Sequence, residues 1–142
     1  MPTSHRYALT RTEFRRSFRS CGFDYVTDAN LKDGIFTMKN DEYCDWCCPP
    51  ESLEIIHAED PSRLTASEVI QTGVLCDAIR YMMKFARMTG NESDVPALEQ
   101  MLADVKEAYN ARFFDAWTAK YDNNTMTANL VPLAMLLTHC RG

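Results

Sequence analysis

The chain has 142 residues, of which 46% are hydrophobic and 25% are charged, a composition typical of one soluble globular domain and not of a disordered or collagen-like protein. Fifteen basic and twenty acidic residues give a net charge of −5, so the chain has no electrostatic reason to bind nucleic acid. No apolar run reaches 18 residues, and no membrane span is expected. The first thirty residues lack the apolar core of a signal peptide, which predicts a cytoplasmic protein if Met1 is the true start and otherwise leaves the location unknown.

The composition changes once along the chain, after residue 22. Residues 1–22 are rich in arginine and serine and show no core face, so we interpret them as an atypical N-terminal segment, with a non-native start as one explanation. Residues 24–30 are consistent with the end of a helix. Residues 31–35 then predict a turn centred on Gly34.

A long irregular segment, residues 40–61, follows this turn. Loops of this length are usually functional or disordered, and its aromatic and acidic content favours a functional loop. The Trp46 indole could stack on the apolar face of a pyranose while Asp45 and Glu51 accept hydrogen bonds from its hydroxyls. The alternative is that Trp46 caps a helical core and the two acids are solvated. The segment alone gives both interpretations equal weight.

The same segment contains three of the six cysteines, in the pattern Cys44-x-x-Cys47-Cys48. A structural zinc site needs four ligands, usually as two close pairs. The other candidate ligands match no common zinc spacing. We therefore expect structural or incidental thiols with no metal and no cofactor, and keep a zinc-stapled domain as an alternative. The ligands of that alternative would be Cys44, Cys47, Cys48 and His57.

Two helices are predicted after this loop. The first runs over residues 65–89, with Thr65 as its cap, Glu68 completing a capping box and Gly90 as its left-handed stop. Its apolar face is broad enough to suggest burial on more than one side, and its methionines are interpreted as core filler. The face comprises Val69, Ile70, Val74, Ile79, Met82, Met83 and Ala86, and the methionines are Met82, Met83 and Met88.

The second helix is predicted over residues 93–114, with Ser93 as its cap and Pro96 in its first turn. The short connection between the two helices forces them to be antiparallel. Residues 121–127 read as a polar turn. A third helix is then predicted from Asn129 to about His139, with Pro132 in its first turn. The predicted fold class is all-α, with long irregular loops.

Several motifs together resemble the bacterial α-L-rhamnosidases of glycoside hydrolase family 78. They are Leu-Lys-Asp-Gly-Ile at 31–35, Asp-Trp-Cys at 45–47, Pro-Pro-Glu-Ser at 49–52, Ile-His at 56–57 and Asp-Pro at 60–61. Further on, residues 108–115 and 121–133 resemble the end of a barrel helix and the polar turn and helix start that follow it. The resemblance covers residues 23–137 approximately.

This resemblance implies part of an (α/α)₆ six-hairpin barrel, about two of its hairpins, in residues 23–142. The implied activity is hydrolysis of terminal α-L-rhamnosides with inversion, which uses one carboxylic acid and one carboxylate base. The family's acid motif does not occur in this sequence, and its base lies farther downstream, so both catalytic carboxylates are expected outside the chain. The implied substrate-binding residues are Asp45, Trp46 and Glu51, and the implied partner is a carbohydrate, a rhamnoside, bound by the complete domain. The alternative is a small, non-catalytic helical interaction module.

Overall fold

The computed structural model describes residues 22–38 and 64–135. The chain divides into two units, Met1–Leu31 and Lys32–Gly142, which are described separately. In the first unit, helix α1 (Asp24–Asn30) confirms the predicted helix end. The buried Thr27 donates its hydroxyl to the carbonyl oxygens of Phe23 and Asp24, at 2.9 and 3.1 Å. This bonding saturates the Thr27 side chain within its own helix.

The predicted turn at Gly34 is confirmed as a tight hairpin. It joins strand β1 (Leu31–Lys32) to strand β2 (Ile35–Phe36). Asp33 and Gly34 have φ values of 51° and 76°, so both central residues lie in the left-handed region that such turns require. A Cβ on Gly34 would also collide with the side chain of Ala108. Glycine is therefore needed at this position for its backbone and for its close approach to the next layer.

The main structural unit is a helical hairpin. Helix α2 (Ser67–Met88) and helix α3 (Val95–Phe113) are joined by a short connection that contains the 3₁₀ helix Glu92–Asp94. Gly90, with φ at 70°, follows the end of α2 as predicted. Two ion pairs link opposite ends of the helices, Arg87–Glu99 at 3.1 Å and Arg112–Glu68 at 3.6 Å. The helices are therefore antiparallel, as predicted.

The predicted caps of both helices are wrong. The N-cap of α2 is Ala66, with no side-chain hydrogen bond, and the Thr65 hydroxyl lies 2.5 Å from the hydroxyl of Thr125. The N-cap of α3 is Asp94, also without a side-chain bond, and Ser93 lies in the preceding 3₁₀ helix. Pro96 does occupy the first turn of α3. Tertiary contacts and a 3₁₀ turn have replaced the local capping that the sequence suggested.

After α3 the chain forms a second small hairpin and a short helix. Strands β3 (Phe114–Asp115) and β4 (Lys120–Tyr121) pair antiparallel. Helix α4 (Met126–Ala134) begins three residues before the predicted start, because Thr125 caps it by accepting a hydrogen bond from Ala128 N at 3.1 Å. Pro132 consequently lies inside the helix and not in its first turn. The predicted end near residue 139 lies outside the described residues.

The core lies between α2, α3 and α4. Its fully enclosed side chains include Val69, Cys76, Ile79, Val105 and Tyr109. The prediction that Val74 and Met88 belong to the core is wrong, because Val74 is 55% exposed and Met88 is 80% exposed. At about 100° per residue they lie on the side of α2 opposite Cys76 and Met83.

In the described ranges the fold is mostly helical, with two short two-stranded sheets. This agrees with the predicted all-α class, although neither sheet was predicted. Within those ranges no helix is both long and apolar enough to cross a membrane.

Candidate functional site

One end of the helical hairpin carries a cluster of hydrogen-bonded polar side chains, which we call the polar junction. It joins the residues before α2, the C-terminal end of α3, strand β4 and the start of α4. Its members are Thr65, Asn110, Tyr121, Asn123, Thr125 and Asn129.

Tyr121 is at the centre of the polar junction. Its hydroxyl donates a hydrogen bond of 2.6 Å to Asn110 Oδ1, and its backbone N–H donates to Asn129 Oδ1 at 3.1 Å. Its ring lies 4.9 Å from the Phe114 ring and 5.9 Å from the Tyr109 ring, between centroids. Burial raises the pKa of the Tyr121 phenol, so the group stays protonated and keeps its role as donor at neutral pH.

The turn after β4 completes the junction. Asp122 and Asn124 have φ values of 45° and 65°, a conformation that Asp and Asn tolerate better than most residues. Asn123 Nδ2 donates to the carbonyl oxygen of Leu64 at 2.7 Å. The hydroxyls of Thr65 and Thr125 are 2.5 Å apart. Through these hydrogen bonds, the turn connects the residues immediately before α2 to the start of α4.

Both described flanks of the segment 39–63 are held at this end of α2. On the N-terminal side, Met38 N donates to Gln71 Oε1 at 2.8 Å, and Phe36 N donates to Thr72 Oγ1 at 3.0 Å. On the C-terminal side, Leu64 is held by Asn123. Gln71 lies only seven residues beyond Leu64, so Met38 and Leu64 are both held near the N-terminal turns of α2. This is the segment that carries the predicted sugar-binding residues.

The β3–β4 hairpin projects from the same end. Its loop, residues 116–119, is fixed by Asp115, whose Oδ1 accepts from Trp117 N at 2.9 Å and whose Oδ2 accepts from Thr118 Oγ1 at 2.7 Å. These two hydrogen bonds lower the pKa of the Asp115 carboxyl, and the bond from the Thr118 hydroxyl has the greater effect. Ala119 takes a positive φ of 55° to close the loop. Trp117 stands at the tip and is 96% exposed.

The predicted sugar-binding residues Asp45, Trp46 and Glu51 lie outside the described residues. The alternative zinc ligands Cys44, Cys47, Cys48 and His57 do so as well. The position of all these side chains therefore stays a prediction. No group of three or more potential metal ligands comes together within residues 22–38 and 64–135.

Of the six cysteines, only Cys76 lies in the described part of the chain. It is free and completely buried in the core, and burial raises its pKa to about 11. The nearby Tyr109 hydroxyl is also buried, and desolvation raises its pKa. A thiol that stays protonated and enclosed is inert as a nucleophile or metal ligand. Cys76 is therefore a structural residue.

Within residues 22–38 and 64–135, the polar junction and the N-terminal turns of α2 fix the backbone on both sides of the segment 39–63, and the side chains of the junction are amides and hydroxyls. The amide and hydroxyl groups of the polar junction are used in hydrogen bonds to one another and to the backbone.

The sequence predicted the turn over residues 121–127 but not the roles of Asn110 and Thr65, whose partners are 11 and 60 residues away. It also missed Trp117. The signal that could have found it was the Asp-x-Trp-Thr pattern, which favours a side-chain-capped turn with the indole at its tip.

Comparison with known proteins agrees with this architecture. A family model described as the bacterial alpha-L-rhamnosidase 6 hairpin glycosidase domain matches residues 15–140. No curated protein and no solved structure matches the chain. Because the family model covers most of the chain, the protein belongs to this family of six-hairpin glycosidase domains, whose substrates are carbohydrates. The resemblance read from the sequence motifs is thereby confirmed.

Proposed function

We propose that this chain forms part of a glycosidase domain that hydrolyses terminal α-L-rhamnosides with inversion at the anomeric carbon. The observation that carries the proposal is the family match over residues 15–140. In an inverting reaction one carboxylic acid protonates the leaving oxygen, while a carboxylate on the opposite side activates a water molecule. The released sugar would therefore be the β-anomer of L-rhamnose.

The proposed sugar contacts are Asp45, Trp46 and Glu51. An indole covers the apolar face of a pyranose, and the two carboxylates accept hydrogen bonds from its hydroxyls. Supporting this assignment, the segment that carries them is flanked by Met38 and Leu64, which are fixed at the same end of α2. Fixing both flanks lowers the conformational entropy cost of placing the three side chains around a ligand.

Neither catalytic carboxylate is assigned to this chain. The family's acid motif is absent from the sequence. Asp115 is bound to its own turn. We therefore propose that the 142-residue chain, by itself, binds a rhamnoside without hydrolysing it.

In this proposal residues 23–142 supply about two of the six hairpins, preceded by the atypical segment 1–22. A second apolar face on α2 supports this arrangement over a sealed interaction module. Its residues recur every three or four positions and include several large exposed side chains, as expected for a helix that other hairpins would cover. They are Val74, Ala78, Tyr81, Phe85 and Met88.

Two measurements test the function. The purified chain should give no detectable turnover of 4-nitrophenyl α-L-rhamnoside, whereas the domain obtained by extending the reading frame in the flanking DNA should release β-L-rhamnose first, as followed by proton NMR. Initial release of the α-anomer would overturn inversion. No hydrolysis by the extended domain would overturn the proposed activity, and clear turnover by the 142-residue chain would overturn the assignment of the catalytic carboxylates.

The site residues have their own test. Trp46→Ala should weaken the binding of methyl α-L-rhamnopyranoside to the chain by about tenfold, the loss expected for one ring-stacking contact of about 1.4 kcal/mol. The matched control is Tyr25→Ala, which removes an exposed aromatic ring from α1 and should leave binding unchanged. Equal effects of the two substitutions would remove Trp46 from the site.

A further inference from the structure

Trp117 is the most exposed large hydrophobic side chain in the described part of the protein. It stands at the tip of the β3–β4 hairpin with 96% of its surface accessible. Tryptophan is usually at least partly buried, because its large ring contributes much to a core or an interface. A fully exposed indole adds little to folding stability. The exposed residues of α2 form a continuous apolar face, whereas Trp117 has only small or polar neighbours in its loop, so its position suggests a role in recognition.

The hairpin holds this indole on an ordered backbone. Trp117 N donates to Asp115 Oδ1 at 2.9 Å, and Thr118 Oγ1 donates to Asp115 Oδ2 at 2.7 Å. Below the loop, the ladder pairs Asp115 with Lys120 and Phe114 with Tyr121. Tyr121 is in turn bonded to Asn110 on α3. The backbone that presents the indole is therefore already ordered, which lowers the entropy cost of binding at this point.

The groups around the indole fit a sugar better than a protein partner. Apart from the tryptophan, the loop and its flanks offer only small or polar side chains: Ala116, Thr118, Ala119 and Lys120, with the Asp115 carboxylate beneath them. A protein hot spot is normally surrounded by other contacts that exclude water. A pyranose, by contrast, needs one aromatic face for its C–H groups and a few hydroxyl, carboxylate or ammonium groups for its hydroxyls.

The hairpin is also linked to a residue that flanks the proposed sugar-binding segment in sequence. It is linked through Tyr121 to the polar junction, and the junction fixes Leu64, the residue that follows the segment bearing the proposed sugar contacts. Trp117 is thus carried by the same end of the helical hairpin as Met38 and Leu64, which flank in sequence the segment that contains Asp45, Trp46 and Glu51.

We propose that Trp117 is a second carbohydrate-binding position, which stacks on a pyranose ring of an oligosaccharide or polysaccharide at a distance from the rhamnosyl group to be cleaved. The Thr118 hydroxyl and the Lys120 ammonium supply polar contacts at the rim. This inference rests on the proposed function and deepens it, because it assigns a polymeric glycan, and not a small aryl glycoside, as the substrate class.

The test compares a small and a large ligand on the intact chain. The small ligand is methyl α-L-rhamnopyranoside, and the large one is gum arabic, a polysaccharide whose branches end in α-L-rhamnosyl groups. Wild-type protein should bind the polysaccharide more tightly per rhamnosyl group. Trp117→Ala should reduce this advantage about fivefold or more, as expected when one stacking contact is lost. The matched control is Trp46→Ala, which should weaken the binding of both ligands.

The chain contains two tryptophans, so Trp46→Phe leaves Trp117 as the single indole reporter. In that variant the polysaccharide should protect Trp117 fluorescence from acrylamide quenching, and Asp115→Ala, which loosens the turn, should reduce the protection. Circular dichroism establishes that each variant is folded.

The outcomes separate the two proposals. If wild-type protein binds neither ligand, the proposed function fails. If wild-type and Trp117→Ala proteins bind both ligands with the same ratio, the proposed function stands and the second position is overturned. Protection of Trp117 that depends on protein concentration and not on polysaccharide would show a protein interface, and would also overturn it.

Discussion

The hydroxyl of Tyr121 donates a 2.6 Å hydrogen bond to Oδ1 of Asn110, which joins strand β4 to the last turns of α3. Asn110 in turn donates to the carbonyl oxygen of Lys106, one turn earlier in the same helix, at 2.8 Å. The bond is buried, so it forms in surroundings where an unmade hydrogen bond is costly. It fixes the base of the hairpin that carries Trp117 and the start of the turn that fixes Leu64.

Tyr121→Phe should lower the free energy of unfolding by about 1–2 kcal/mol, because Asn110 Oδ1 loses its buried donor while the ring packing is kept. Urea unfolding followed by circular dichroism measures the change. The matched control is Tyr81→Phe, which removes a half-exposed hydroxyl from α2 and should change stability by less than about 0.5 kcal/mol. Equal losses in the two variants would contradict the role given to this bond.

Thr125→Ala should destabilise the protein by about 1–2 kcal/mol, because α4 loses its N-cap bond to Ala128 N and Thr65 loses a hydroxyl contact. Thr125→Ser keeps the hydroxyl and should retain most of the stability. Thermal unfolding of both variants distinguishes the hydroxyl from the methyl group. If serine is as damaging as alanine, the cap is not the source of the effect.

Gly73→Ala should destabilise the packing of α2 on α4. A Cβ at this position would lie 2.5 Å from Val131 Cγ1 and 3.5 Å from Met135 Cγ. Overpacking costs about 1–3 kcal/mol, and here it should exceed the gain of about 1 kcal/mol from replacing glycine by alanine in a helix.

A double-mutant cycle with Val131→Ala provides the control for Gly73→Ala. Removing Val131 Cγ1 relieves the collision, so the double variant should be at least as stable as Val131→Ala alone. Additive losses in the cycle would mean that the two residues are not in contact.

The buried thiol of Cys76 should make the protein less stable at alkaline pH. Its pKa is raised by burial from the model-peptide value of 9.0 to about 11 in the folded state. Between these values the unfolded state loses the thiol proton and the folded state keeps it. The unfolded state then binds fewer protons, and stability falls as pH rises, by up to about 2–3 kcal/mol in total.

Urea unfolding of wild-type and Cys76→Ala proteins between pH 8 and 10.5 tests this pH dependence. Tyr109 and Tyr121 act in the same direction at higher pH, since burial raises both pKa values, but they are present in both proteins. The decline above pH 9 should therefore be shallower for Cys76→Ala. Identical pH dependence would show that Cys76 does not titrate differently in the folded state.

The elements that the sequence predicted well are those determined by local patterns. The periodicity of α2 and α3, the stop at Gly90 and the turn at Gly34 each depend on residues close together in the chain. The antiparallel pairing followed from the short connection between the helices. The family resemblance rested on short motifs of the same local kind.

The features that the sequence did not predict depend on distant partners. Threonine is a residue type that often caps helices, but the hydroxyl of Thr65 contacts Thr125, which lies 60 residues away. Val74 and Val69 are equally apolar, and only the arrangement of α3 and α4 leaves Val74 exposed and buries Val69. The β3–β4 hairpin has strands of two residues each, too short to produce a recognisable alternation.

The most direct test of the central claim, that the chain recognises terminal α-L-rhamnosides, is saturation-transfer NMR on the 142-residue protein. The ligands are methyl α-L-rhamnopyranoside and methyl α-D-mannopyranoside, of which the second has the opposite handedness and one additional hydroxyl. We expect saturable transfer to the rhamnoside that is reduced by Trp46→Ala, and little transfer to the mannoside. Equal transfer to both sugars, or no transfer to either, would contradict the claim.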